Sequence, residues 1–148
     1  MIVEAQVTIN GSRAAVWAVI TNVEGASKII SGIKNIEVVE KPTSGLVGLK
    51  WRETRILFGK PATVEKCITE AADNEFFKTK AESDGSIFFC TKRISESSGG
   101  VILTEIHESR PQSAGAKLMS FPMVFFKGMW KKAILQDLND VKAAMEQK

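Results

Sequence analysis

Few side chains in this chain are of a type that could do chemistry. His107 is the single histidine. Glu108 follows it, but a HExxH zinc motif would need a second histidine at position 111, which is Pro111. Cys67 and Cys90 are too few and too far apart for a CxxC or a zinc ligand set. Neither has a histidine at a defined spacing, so both read as small apolar strand residues, and His107 reads as a surface or structural one. Gly59-Lys60 is followed by Pro61 where a phosphate-binding loop needs Ser or Thr, and no GxGxxG occurs. Nucleotide binding is therefore not expected, and neither is a metal or any other cofactor. Asn10-Gly11-Ser12 has the form of a glycosylation sequon but reads as a turn and helix cap. What remains is charge placed on strands, Arg52 and Glu65. A buried charge must be paired, so an Arg-Glu pair facing an enclosed space would orient a polar group on an otherwise apolar ligand.

The elements that position these residues follow from periodicity. Val3, Ala5, Val7 and Ile9 alternate with Glu4, Gln6 and Thr8, the period-2 signature of a half-buried strand. Ser12 then caps a short helix through Ala14, Ala15, Val16, Trp17 and Ile20, and a second short helix through about Ile30 follows Asn22 and Gly25. From Ile33 the texture becomes strand-turn-strand, with runs Ile36 to Glu40, Leu46 to Phe58, Ala62 to Ala71, Phe76 to Glu82, Ile87 to Ile94 and Val101 to Ser109. The turns between them are rich in Gly, Pro, Asn and Asp; Asp84-Gly85 carries the strongest hairpin signal. After Pro111, residues from about Ala114 to Gln147 have helical periodicity. Met119, Met123, Phe126, Trp130, Ile134, Leu138, Val141 and Met145 form one apolar stripe, and Pro122 is expected to kink or restart the helix.

The 148 residues make one domain, 1–148, of ordinary composition: 44% hydrophobic and 25% charged. Twenty basic against 17 acidic side chains give a net charge of +3, far from the dense positive field of a nucleic-acid binder. No stretch approaches the roughly 20 apolar residues of a membrane span. The start MIVEAQVTIN alternates and carries Glu4 in place of a basic-then-apolar leader, so a cytoplasmic location is expected. The element order gives an α+β fold: a seven-stranded curved antiparallel sheet wrapped around a long C-terminal helix, with two short helices between strands 1 and 2. A sheet that wide is not filled by one helix, so an internal cavity is expected.

The chain resembles the START-like, or SRPBCC, superfamily with its helix-grip fold, which includes birch-pollen-allergen-like proteins, polyketide cyclases and plant abscisic-acid receptors. The matching pieces are Ser12 to Trp17 with Val23-Glu24, Gly45 to Gly48, Trp51 to Arg55, Gly59-Lys60-Pro61-Ala62, Gly99-Gly100 with Leu103-Thr104-Glu105, and Leu138 to Glu146. The resemblance implies the fold and a cavity for a hydrophobic ligand. Gly59, Lys60, Pro61 and Ala62 look like the gate loop of the abscisic-acid receptors, although Lys60 stands at a position that is apolar there, and no equivalent of their latch is found between Asp84 and Ile94.

Alternation leaves two faces open for the third strand. Aligning on the gate turns Arg52, Thr54 and Ile56 inward, with Glu65, Cys67 and Thr69 on the fourth strand; the opposite parity brings in Trp51, Glu53 and Arg55, for which Trp51 argues as a buried aromatic. A β-bulge within the run would switch faces partway. The first parity, extended to the other strands, nominates Phe77, Thr79, Thr104, Ile106 and Glu108, and the helix supplies Met119, Met123, Phe126 and Trp130. The expected function is binding or transport of a small hydrophobic molecule such as a lipid, polyketide or aromatic metabolite. Two alternatives are a cyclase, dehydratase or aromatase-type enzyme, and a protein-interaction module using Lys127, Lys131, Lys132 and Lys142, its protein partner not specified by the sequence.

Overall fold

Seven strands pair only with antiparallel neighbours and give one curved, open sheet. The computed structural model describes residues 1–57, 59–83, 85–112 and 127–146. The strands are β1 (Ile2–Ile9), β2 (Ile33–Glu40), β3 (Lys50–Leu57), β4 (Lys60–Ala72), β5 (Phe76–Ser83), β6 (Ser86–Ser97) and β7 (Gly100–Pro111), in the spatial order β1-β7-β6-β5-β4-β3-β2. The connection from β1 to β2 therefore runs from one edge of the sheet to the other. It is made by α1 (Arg13–Thr21), a 3₁₀ turn (Val23–Gly25) and α2 (Ala26–Ile29). Ser12 caps α1 by accepting a hydrogen bond from the Ala15 N–H at 3.1 Å. Arg13 pins that helix start to the β4–β5 turn and to β6, donating to the Asn74 and Ile94 carbonyls at 2.9 and 3.1 Å.

The last helix, α3 (Lys127–Glu146), is about 30 Å long at 1.5 Å per residue and packs against β1, β7, α1 and α2. Ile134, Leu138, Val141 and Met145 are buried, as the apolar stripe requires. They meet Val3, Ile9, Val16, Ile68 and Leu103 in one core. Two acids fasten the polar flank: Asp140 accepts from the Ser31 N–H and hydroxyl at 2.9 and 2.8 Å, and Asp137 accepts from Arg55. The first part of the expected helix, from Ala114 through Met119, Pro122, Met123 and Phe126, lies outside the described residues.

The strand ends differ from the sequence expectation in several places: β2 begins at Ile33 in place of Ile36, β6 runs on to Ser97 and β7 to Pro111. β3 begins at Lys50, because Leu46 to Leu49 form a turn in which the Leu49 N–H reaches the Leu46 carbonyl at 3.0 Å and Gly48 takes φ +98°. The irregularities fall in β2, at Ile33/Asn35 and Val38/Glu40, and in β4, between Ile68 and Glu70, while β3 itself alternates without a bulge. Gly100 has φ +131°, and a Cβ there would lie 2.2 Å from the Ile9 carbonyl oxygen, so the β6–β7 turn can close beside β1 only with glycine.

Candidate functional site

The sheet's two faces differ in what their charges do. On the inner face, toward α3, β3 presents Trp51, Glu53 and Arg55; Trp51 is 5% exposed and Glu53 7%. Register carries this row across the sheet: Trp51 opposes Lys66, Phe77 opposes Lys92, Thr79 opposes Cys90, and on β7 Glu105 and His107 oppose Lys92 and Cys90. These residues, with the apolar side chains of α1, α2 and α3, enclose a cavity of about 270 Å³. Its helical side is mostly apolar, built from residues such as Ile20, Ile30 and Ile134, with Asp137 as the charged exception. The cavity is thus two-sided, with one mostly hydrocarbon wall and one wall of paired charges.

Most of those charges are committed to each other. Glu53 accepts from Arg55 Nε at 2.8 Å and Lys66 Nζ at 3.0 Å, and the Trp51 indole N–H lies 3.4 Å from its other oxygen. The rest of the Arg55 fork is bidentate to Asp137 on α3, at 2.8 and 3.2 Å. Burial alone would raise the Glu53 carboxyl; the charges and hydrogen bonds of Lys66 and Arg55 outweigh it and hold the group well below the usual carboxylate range. Burial would likewise lower Arg55, and Asp137 and Glu53 push it above its ordinary value.

At the other end of the row, His107 Nε2 lies 2.8 Å from Glu105 Oε1 and 3.5 Å from Cys90 Sγ. Burial opposes charge at Glu105, but Lys92 and the His107 hydrogen bond keep it ionised, down to about 2. Burial also disfavours the imidazolium, and the Cys90 and Glu105 contacts raise His107 above the ordinary histidine range. The Trp130 ring meets His107 edge-on at 5.7 Å. Lys92 is different: among the described residues no carboxylate lies within 4.0 Å of its ammonium, which sits 5.8 Å from the Phe77 ring centre. Glu105, opposite it on β7, is the charge that attracts it most, but without a direct ion pair among the described residues its ammonium can still meet a ligand's polar group.

The structure brings Phe77, Thr79 and Trp130 of the sequence-nominated residues to this cavity. Arg52, Thr54, Ile56, Glu65, Cys67, Thr104 and Ile106 stand on the outer face, together with Glu108, because the parity is the opposite of the one the gate alignment favoured. The physical reason is Trp51: burying its ring forces Arg52 to the solvent side, where it is 47% exposed and lies 3.7 Å from Glu65. Thr104 is buried there among side chains, 3.5 Å from Gln6. Gly59, Lys60, Pro61 and Ala62 make the β3–β4 hairpin and the start of β4, with Gly59 at φ +80°, and none of the four lines the cavity. Sequence reasoning does not nominate Lys66, Lys92, Glu105 or Asp137, and it reads Cys90 as a small apolar strand residue and His107 as a surface or structural one. The signal for Glu105 and His107 was present, since they continue the alternation of buried Val101 and Leu103.

The family described as "Polyketide cyclase / dehydrase and lipid transport" matches residues 1–146. No curated protein matches the chain by sequence. Among solved structures, a START superfamily protein from Mycobacterium smegmatis superposes with a TM-score of 0.77 at 15% identity, over 99% of this chain and 97% of that one. The ZhuI aromatase/cyclase from Streptomyces sp. R1128 superposes at 0.76 and 17%, over 99% and 94%. The di-domain aromatase/cyclase StfQ, from the steffimycin biosynthetic pathway, gives 0.79 at 9% identity over 99% of this chain, which spans 51% of that protein's length. At these identities the likeness is one of fold.

Proposed function

Because the chain belongs to the polyketide cyclase/dehydrase and lipid transport family, with its START-like (SRPBCC) fold, we propose that its cavity binds a small apolar molecule bearing one anionic or carbonyl end. The observation that carries this reading is the Lys92 ammonium lining the cavity with no direct ion pair among the described residues, across from the isoleucines of the helical side. Apolar burial at roughly 25 cal/mol per Å² supplies most of the binding, and Lys92 sets the orientation. At about 270 Å³ the cavity suits a compact ring system better than a long acyl chain. The test is native mass spectrometry of gently purified protein followed by solvent extraction. A stoichiometric adduct of an aromatic or short polyketide-like acid is expected; an extended diacyl lipid would contradict the reading.

A second reading, a cyclase-type enzyme, is favoured by one specific feature: His107 and Glu105 lie beside Lys92 on the same wall. A cation next to a bound carbonyl stabilises an enolate, and the His107-Glu105 pair is placed to exchange a proton with it. Turnover of a poly-β-ketone probe that is lost in Lys92→Met would support this reading; binding of the probe without turnover would leave the carrier.

A further inference from the structure

We propose that Cys90, Glu105 and His107 form a transition-metal site of the kind that takes Zn²⁺, open to the cavity on one side. The three donor atoms converge: Sγ to Nε2 is 3.5 Å, Sγ to Oε1 is 3.6 Å and Nε2 to Oε1 is 2.8 Å. With Zn–S near 2.3 Å and Zn–N and Zn–O near 2.0–2.2 Å, tetrahedral angles require ligand atoms about 3.3–3.6 Å apart. Two of the three edges already meet this. The third has the length of a direct hydrogen bond and opens by about 0.5 Å when a metal ion replaces the shared proton.

The same distances exclude the obvious rival, a Cys-His-Glu nucleophile. A relay needs the thiol on one ring nitrogen and the carboxylate on the other. Here both meet Nε2, which carries a single proton or a single metal bond. Sequence spacing conceals the cluster because it is made by register: Cys90 on β6 opposes His107 on β7, and Glu105 lies two residues along the same face.

Thiolate, imidazole and carboxylate together suit Zn²⁺, and three protein ligands leave a fourth position for water or for a ligand's oxygen. All three residues line the cavity, so that position faces it. On binding, the thiol proton and the proton that Nε2 shares with Glu105 both leave to solvent, so Nε2 presents its lone pair while the thiolate and carboxylate together balance the ion's charge. Lys92, opposite Glu105 on the neighbouring strand, faces the same space and weakens metal affinity by repulsion. This inference does not depend on which molecule the cavity holds.

The test is titration of chelator-stripped, phosphine-reduced full-length protein with Co²⁺, followed by displacement with Zn²⁺. One Co²⁺ per chain is expected, with the intense visible bands of a tetrahedral site and a thiolate-to-cobalt charge-transfer band. Cys90→Ser should lose the charge-transfer band and weaken Zn²⁺ binding more than about 100-fold, and Glu105→Gln at least about tenfold. Lys92→Met should bind more tightly, and Cys67→Ser, on the outer face, should match the wild type; circular dichroism confirms the fold of each variant. Absence of saturable tetrahedral Co²⁺ bands in the wild type would overturn the proposal without any variant. So would a charge-transfer band that survives Cys90→Ser or disappears in Cys67→Ser.

Discussion

The two faces of β3 carry nearly the same chemistry and use it in opposite ways. On the outer face Arg52 lies 3.6 Å from Glu37 and 3.7 Å from Glu65, with all three side chains between 44% and 62% exposed. On the inner face Arg55 lies 2.8 Å from both Glu53 and Asp137, which are 8% and 14% exposed. Water screens the first set, which does little more than decorate the sheet. The second set is desolvated, so each charge depends on its partners and the network holds α3 to β3 in one register. Arginine beside glutamate on a strand is therefore no guide to function until it is known which way the strand faces.

The largest expected effect comes from breaking the inner set. Arg55→Met leaves Glu53 and Asp137 buried without their shared cation and should lower unfolding stability by about 3 kcal/mol in urea titrations. Next is the acid side of the stability profile. Glu53 has its folded-state value depressed below the ordinary 4.5, so its contribution is present above that value and is lost as pH falls toward the depressed one. The stability gap between wild type and Glu53→Gln, roughly 2 kcal/mol at neutral pH, should therefore narrow steadily on acidification below about pH 4.5. The smallest effect belongs to the outer face: Arg52→Met should change stability by no more than about 1 kcal/mol, and less in high salt. Equal losses in Arg52→Met and Arg55→Met would erase the distinction between the faces.

Much of the fold is legible in the sequence because its signals are local. Alternation over Val3 to Ile9, the Ser12 cap, the Gly and Pro turns and the stripe from Trp130 to Met145 each reflect a short-range rule, and each has its counterpart in β1, α1, the hairpins and α3. The site is less legible, since a period of two assigns residues to a shared face without saying which face is inside. Trp51 held that information, and the gate alignment pointed the other way. Asp137 as the partner of Arg55, and Cys90 as the neighbour of His107, are 82 and 17 residues apart in sequence and meet only through helix docking and strand register. No local pattern encodes such pairs.

If a ligand is held on the inner face through Lys92, as proposed, the charge on that face must set its affinity. The most direct measurement is calorimetric titration of naphthoate and its methyl ester into the wild type, Lys92→Met and Arg52→Met. Naphthoate is expected to bind the wild type and Arg52→Met alike, about tenfold or more tightly than the ester, and Lys92→Met is expected to remove this preference. A preference that persists in Lys92→Met and vanishes in Arg52→Met would contradict the proposal and move the site to the outer face.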